Sequence, residues 1–328
     1  MTLLGWLLCA VLAVNGEKIC TMPTPTPSDD PSTADFEAHR RSLRALAYRM
    51  LGSRAEAEDV VQDCWLRWRE VDRGIVRDAR AYLSQTATHL CLDRLQSARM
   101  RREQYVGVWL PEPLVDEVGD FSPGPEAVNE YAQDVSIAFM LALERLSPLE
   151  RAAFLLHDVF DQDFDEIARR LGRTAAACRQ LAARARQHVR AAEVRNEVSD
   201  ADASRLLQVF GHAVAQGDVD GLAATLAEDV EFLADGGGRV AAVPRPLHGA
   251  TLIARTLVGF GKSSAWHKLR FVPAHINGWP GIVMFGDDGQ PVQTMTFRFG
   301  ADSRIASIYV TRNPEKLAHL GARNQEPA

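Results

Sequence analysis

The residues best suited to chemistry lie between Phe164 and His188, and they suit reading a polymer rather than making bonds. Arg179, Gln180, Arg184 and Gln187 fall on one side of a predicted helix. Arginine and glutamine carry paired donors and acceptors that match base edges and phosphates in a DNA major groove. The opposite side holds Cys178, Leu181 and Ala185 at helical spacing, an apolar seam that must be buried. Upstream, Ile167, Ala168 and Leu171 form the inner face of a preceding helix. Gly172 supplies the backbone freedom of a tight turn, and Thr174 can cap the helix that follows. This pattern predicts a helix-turn-helix, with Arg173, Thr174, Arg179, Gln180 and Arg184 as the side chains expected to meet DNA.

The chain has 328 residues, enough for two or three domains. Its 43 acidic and 37 basic residues give a net charge of -6, which excludes a uniformly basic coat but not local basic faces. The five cysteines are scattered, with neither Cys-x-x-Cys pairs nor neighbouring histidines, so no metal site, disulfide framework or cofactor is expected. That usage suits a reducing cytoplasm. Leu3 to Val14 is an apolar run of signal-peptide length without a basic start, too short to span a membrane. It leads into Thr21-Met22-Pro23-Thr24-Pro25-Thr26-Pro27, with a linker's composition. Residues 1–32 are read as an extension, with Met22 as the expected start and no membrane partner.

Helical patterning then organises the chain. Residues 33–105 form one helical domain, in which Phe36, Leu43, Leu46, Ala47 and Met50 make a first stripe that Gly52-Ser53 breaks. A second helix, Ala55 to Val71, sets Val60, Val61, Cys64, Trp65 and Trp68 on one side; a third runs from Ala79 to Arg102. A Pro-rich, acidic linker spans 106–127 and includes Trp109-Leu110-Pro111-Glu112-Pro113. A second helical block, 128–195, ends in the helix-turn-helix. Beyond about Asp200 short β-like runs take over, near Val230–Leu233, Leu269–Val272, Gly281–Phe285, Val292–Phe299 and Ile305–Val310. With helical runs near Ala201–Gln216 and Leu252–Phe260, they predict an α+β domain with a curved antiparallel sheet over 200–322, and a tail of 323–328.

Two further surfaces stand out. The Ala79–Arg102 helix carries Thr88, His89 and Arg94 and gathers Arg99, Arg101 and Arg102 at its end. Such a cluster complements the helix dipole, or forms an edge for phosphates beside polar groups that hold unpaired bases. The second helix joins Asp59, Gln62 and Asp63 to Trp65 and Trp68, an acidic and aromatic combination that suits protein docking.

Three segments in the right order then resemble a bacterial extracytoplasmic-function (ECF) sigma factor of the sigma-70 family. They are Asp59-Val60-Val61-Gln62-Asp63-Cys64-Trp65, the helix holding Ala81-Tyr82-Leu83 and Asp93-Arg94-Leu95, and Leu146-Ser147-Pro148-Leu149-Glu150-Arg151. The resemblance implies two all-α domains, sigma region 2 and region 4. It implies core RNA polymerase and promoter DNA as partners. Asp59, Gln62, Asp63, Trp65 and Trp68 would dock on the β′ coiled coil, and region 4 would lie near the β flap. Thr88, His89, Arg94, Arg99, Arg101 and Arg102 would serve the −10 element, and Arg173, Thr174, Arg179, Gln180 and Arg184 the −35 element.

Trp109-Leu110-Pro111-Glu112-Pro113, Asp235-Gly236-Gly237-Gly238 and Asn313-Pro314-Glu315-Lys316-Leu317 further resemble three marks of the SigJ-like subgroup, with Arg239 where that subgroup often has Lys. That subgroup carries a fused SnoaL-like domain of the NTF2-like cone fold that regulates the sigma core. On this basis Asp235, Gly236, Gly237, Gly238, Asn313, Pro314, Lys316 and Leu317 are expected at or near contacts with that core. The glycines alone would also suit a plain turn, and Asn313-Pro314 a helix start. Related cones host acid–base chemistry, for which Asp229, Asp235, His248, His267 and His275 are available, but no spacing pairs them, and catalysis is not expected. An apolar pocket lined by Phe232, Trp266, Phe271, Met284 and Phe297, with a small-molecule ligand of unknown class, stays open, as do a simple DNA-binding repressor and a cyclase-type enzyme.

Overall fold

Helix α1 (Pro31–Leu51) buries its predicted stripe, Phe36, Leu43, Leu46, Ala47 and Met50. It ends at Gly52, whose φ of +69° lies in the left-handed region. Ser53 then caps α2 (Arg54–Glu70), its hydroxyl accepting from the Glu56 amide. Helix α3 (Ala79–Glu103) completes the first unit. The computed structural model describes residues 31–72, 74–103, 105–115, 135–190 and 198–323. The predicted extension up to residue 30, the linker from 116, the start of the second block and the tail from 324 lie outside the described residues.

The second unit holds α4 (Ile137–Glu144), α5 (Pro148–Phe154), a π-helical turn (Leu155–Val159), α6 (Phe164–Leu171) and α7 (Ala175–Arg190). Ser147 and Glu150 close a reciprocal capping box ahead of α5. The predicted helix-turn-helix is α6 and α7, with Gly172 left-handed at φ +62° and the Thr174 hydroxyl accepting from the Ala177 amide at 3.2 Å.

The two units share one apolar core, in which Leu46, Trp68 and Leu83 of the first meet Phe139, Leu155 and Cys178 of the second. Arg151 of α5 is buried where they join. Its guanidinium donates to the Met50 carbonyl at 2.6 Å and pairs with Glu144 at 2.8 Å. A buried cation paired in this way fixes one alignment of α5 on the end of α1.

The third unit runs α8 (Asp200–Gln216), α9 (Val219–Ala224), β1 (Leu226–Asp235), β2 (Leu247–His248), α10 (Ala250–Gly261), β3 (Arg270–Ile276), β4 (Trp279–Phe285), β5 (Pro291–Phe299), β6 (Ile305–Thr311) and α11 (Pro314–Arg323). The sheet order is β2-β1-β6-β5-β4-β3. Sequence predicts an antiparallel sheet, yet β1 and β6 pair in parallel. Alternation reports which face a residue takes, not the direction of its neighbour, and the meander β3 to β6 ends alongside a strand laid down before the α10 excursion.

That alternation gives the sheet two buried faces. Phe232, Ala234, Met295, Phe297, Ile308 and Val310 turn inward against Phe210 of α8 and Ile253 and Leu257 of α10. On the other face Trp279 and Tyr309 pack with Leu110 of the linker and Ile137 of α4, and Val283 and Phe285 pack with Leu317 and Leu320 of α11. The sheet therefore sits on the helical units through the 105–115 segment.

Cys64, Cys91 and Cys178 are buried free thiols, and desolvation pushes Cys64 up to about 12. A maleimide applied to the native chain at neutral pH should label none of these three until denaturant is added, as read by peptide mass mapping. Labelling of Cys64 in the native protein would contradict the shared core.

Candidate functional site

Asp235 ends β1 with a fully buried carboxylate. Its Oδ1 accepts from the Tyr105 hydroxyl at 2.6 Å and the Gly237 amide at 2.9 Å. Its Oδ2 accepts from the Leu110 amide at 2.9 Å and from Lys316 Nζ at 2.7 Å. Its backbone carbonyl accepts from the amides of Arg312 (2.7 Å) and Asn313 (3.0 Å). A buried charge is tolerated when it is paired and fully hydrogen-bonded, and the donors here come from the linker, the glycine turn and α11.

The surrounding groups brace this knot. Lys316 Nζ also donates to the Leu110 carbonyl, and it lies 4.5 Å from the centre of the Trp109 ring and 5.2 Å from that of Tyr105. Asn313 donates from Nδ2 to the Tyr105 oxygen at 3.0 Å, while its Oδ1 accepts from the Glu315 amide at 3.0 Å, at the start of α11. Burial, and then the bond to Asp235, push the Tyr105 phenol above its usual range, so it stays a donor. Gly237 has φ +62°, and a Cβ there would sit 2.3 Å from Asn313 Nδ2. Gly236 and Gly238 complete the turn, Gly238 facing Val106. Pro314 opens α11 at the surface, Leu317 is buried behind it, and Arg239 pairs with Glu315 at 2.8 Å.

From the knot the linker runs over the first helical unit. Trp109 lies so close to Gly52 that a Cβ there would come within 2.5 Å of Cη2. The Glu112 carboxylate accepts from Ser53 Oγ (2.9 Å) and the Arg54 amide (2.8 Å) at the start of α2, where the helix dipole favours an anion. The buried Asn277, at φ +52°, then clasps three parts of the chain. Its Nδ2 donates to the Tyr48 hydroxyl (2.8 Å) and the Val135 carbonyl (2.7 Å), and its Oδ1 accepts from the Leu114 amide (3.1 Å).

The predicted nucleic-acid and docking residues are placed as follows. Arg173, Thr174, Arg179, Gln180 and Arg184 are all exposed on one side of the helix-turn-helix, with Arg179 over the Phe164 ring at 5.5 Å. On α3, Thr88 does not face solvent: it is fully buried and its hydroxyl donates to the Ser84 carbonyl at 2.7 Å. His89 is exposed, but its Nε2 lies 2.7 Å from the Arg170 carbonyl of α6. Arg94 donates to the Glu56 carbonyl (2.9 Å) and Asp63 (2.7 Å). The side chains of Arg99, Arg101 and Arg102 lie outside the described residues. On α2, Asp59 and Gln62 are exposed, Asp63 is half-buried, and Trp65 packs on Phe36 at 5.0 Å. Trp68 is buried in the core beside Tyr82 rather than set on the docking face.

Comparison with known proteins decides the family. Residues 36–101 match the model for Sigma-70 region 2, and 136–189 that for Sigma-70, region 4. The ECF RNA polymerase sigma factor SigJ of Mycobacterium tuberculosis is 36% identical over 307 residues, 90% of this chain and 96% of that protein. The chain belongs to the ECF RNA polymerase sigma factors, in the SigJ-like subgroup. Its structure is similar to the crystal structure of M. tuberculosis SigJ, with a TM-score of 0.67 at 34% identity over 87% of this chain and 97% of that one. A probable ECF sigma factor, SigI of the same organism, is 35% identical over 195 residues, 59% of this chain and 66% of its own.

In this sigma factor the three subgroup motifs converge, because the linker motif lies between Asp235 and Gly52. Sequence reasoning missed Tyr105, Tyr48 and Asn277. The Asn277-Gly278 pair reads as ordinary hairpin-turn chemistry between β3 and β4, so nothing marks its amide as a clasp. Among the candidate acids and bases of the cone, Asp235 is enclosed by the knot, while Asp229, His248, His267 and His275 are exposed.

Lys316→Met leaves the Asp235 carboxylate buried without its cation. It is expected to destabilise the chain by about 3–5 kcal/mol in denaturant unfolding and to speed hydrogen exchange at the Leu110 amide. An unchanged unfolding midpoint would show that the knot contributes little.

Proposed function

We propose that this sigma factor directs initiation at promoters with −35 and −10 elements, and that its cone holds regions 2 and 4 closed until the linker is released. A sigma factor of this family binds core RNA polymerase and promoter DNA. The finer assignments are part of the proposal: Asp59, Gln62, Asp63 and Trp65 on the β′ coiled coil, region 4 near the β flap, and the exposed Arg179, Gln180 and Arg184 on the −35 bases. The reading places the protein in the cytoplasm and gives it no catalytic turnover.

The observation that carries the regulatory half is the Asp235 knot. It ties the segment between region 2 and region 4 to the cone through the Tyr105 hydroxyl and the Leu110 amide, beside the Lys316 ion pair. To reach two separated promoter elements, the sigma regions have to move apart and the linker has to extend. The shared core, the Arg151–Met50 bond and the His89–Arg170 contact oppose that separation. In the closed arrangement Arg94 and His89 are occupied within the protein rather than offered to DNA. A fused domain acts at high effective concentration, so modest contacts suffice to shift the population between closed and open forms.

Run-off transcription with core polymerase tests both halves. The full chain is expected to give promoter-specific transcripts. Truncation after Thr311 removes Asn313 and Lys316 and is expected to raise the yield per folded molecule. Absence of specific initiation from either protein would remove the sigma reading, and equal yields would remove the regulatory one.

A further inference from the structure

The inner face of the cone encloses a cavity of about 300 Å³, at the small end of the range for ligand sites. Phe232, Leu257, Trp266, Leu269 and Met295 make its walls apolar, and one cation, Arg312, stands among them. Alternation along β6 and beyond explains why. Val310 faces inward, so Arg312, two residues on, does too, while Thr311 and Asn313 turn toward the linker.

Arg312 is half-buried and is provisioned differently from Arg151 and Arg170, two buried arginines of the sigma regions. Arg151 has Glu144, and Arg170 has Glu166 and Gln162. Among the described residues the Arg312 guanidinium makes one hydrogen bond, from Nη1 to the Ala241 carbonyl; its Nε is buried without an acceptor, as is that of Arg151, so what sets Arg312 apart is the missing carboxylate. Among the described residues no carboxylate lies within ion-pair distance of it. Burial alone draws its pKa downward, with no compensating anion. A guanidinium beside an apolar cavity, with donors unspent, suits an acceptor carried by a ligand, and its planar fork matches a carboxylate.

We infer that the cone is a binding site for a small amphiphilic carboxylate, with its apolar body between Trp266, Leu257 and Met295 and its anionic head on Arg312. A neutral or cationic molecule of the same shape leaves the guanidinium unanswered and binds more weakly. The site also adjoins the knot: the Arg312 amide donates to the Asp235 carbonyl, and Ala234, beside Asp235, lines the cavity. Occupancy is therefore expected to loosen or tighten the linker, a consequence that rests on the regulatory reading above.

Isothermal titration of the full chain with sodium octanoate, 1-octanol and octylamine hydrochloride tests the site. Octanoate is expected to bind about tenfold or more tighter than octanol, with octylamine weakest. Arg312→Met should erase the preference for octanoate while keeping octanol binding. Ala265→Trp, at an exposed position of the lining, keeps the guanidinium and should block both. Thermal melting of each variant reports folding. The site is overturned by equal affinity for octanoate and octanol, by octanoate binding that survives either substitution, or by no binding to the folded full chain. Leu110 amide exchange, compared with and without octanoate, reads the coupling separately: a changed rate supports it, and an unchanged rate removes the coupling while the titration still decides the site.

Discussion

A carboxylate with no exposed surface must be met by donors, and Asp235 draws its own from parts of the chain far apart in sequence. Tyr105 and Leu110 come from the segment after α3, Gly237 from the turn after β1, and Lys316 from α11. Any arrangement that moves the linker off the sheet takes away the Tyr105 and Leu110 donors and leaves the carboxylate with only Lys316 and the Gly237 amide. Apolar contacts around Leu110 and Val115 also join the cone to the linker, and the polar contacts of Asp235 add direction to that seat.

The knot also explains why the linker lies where it does along α1 and α2. With Leu110 held at Asp235, Trp109 falls on Gly52 and Glu112 on the start of α2. Gly52 leaves the room the indole needs, and the Glu112 carboxylate meets the start of a helix, where an anion is favoured. Further along, Asn277 binds Leu114 and Val135, residues that flank the undescribed linker stretch. The connection between regions 2 and 4 is thus gripped at both of its described ends.

Much of this was legible in the residues. The stripes of α1 and α2 and the turn at Gly172 follow from helical period and backbone preference, and they are found as read. The three motifs around Trp109, Asp235 and Asn313 stood out, and they meet in space. What was not legible depends on neighbours brought in from elsewhere. Thr88 looks like a polar surface residue, but it satisfies its hydroxyl on its own helix and faces the core. The parallel β1–β6 pair cannot be read from alternation, and the Asn277 clasp is indistinguishable from a common turn. The expected cavity kept Phe232 and Trp266, whereas Met284 and Phe297 went to the solid core and Phe271 to the surface. Strand period gives the face, and only the closed sheet decides which inward residues border the cavity.

The central claim is that the Asp235 knot holds regions 2 and 4 together. Spin labels on Glu70→Cys in α2 and Ala183→Cys in α7, both exposed positions, report the distance between the regions by pulsed electron resonance. The full chain should give one narrow distribution, and adding Asp235→Ala should broaden it and shift it to longer distances. A distribution that is already broad in the full chain, or one that Asp235→Ala leaves unchanged, would contradict the account.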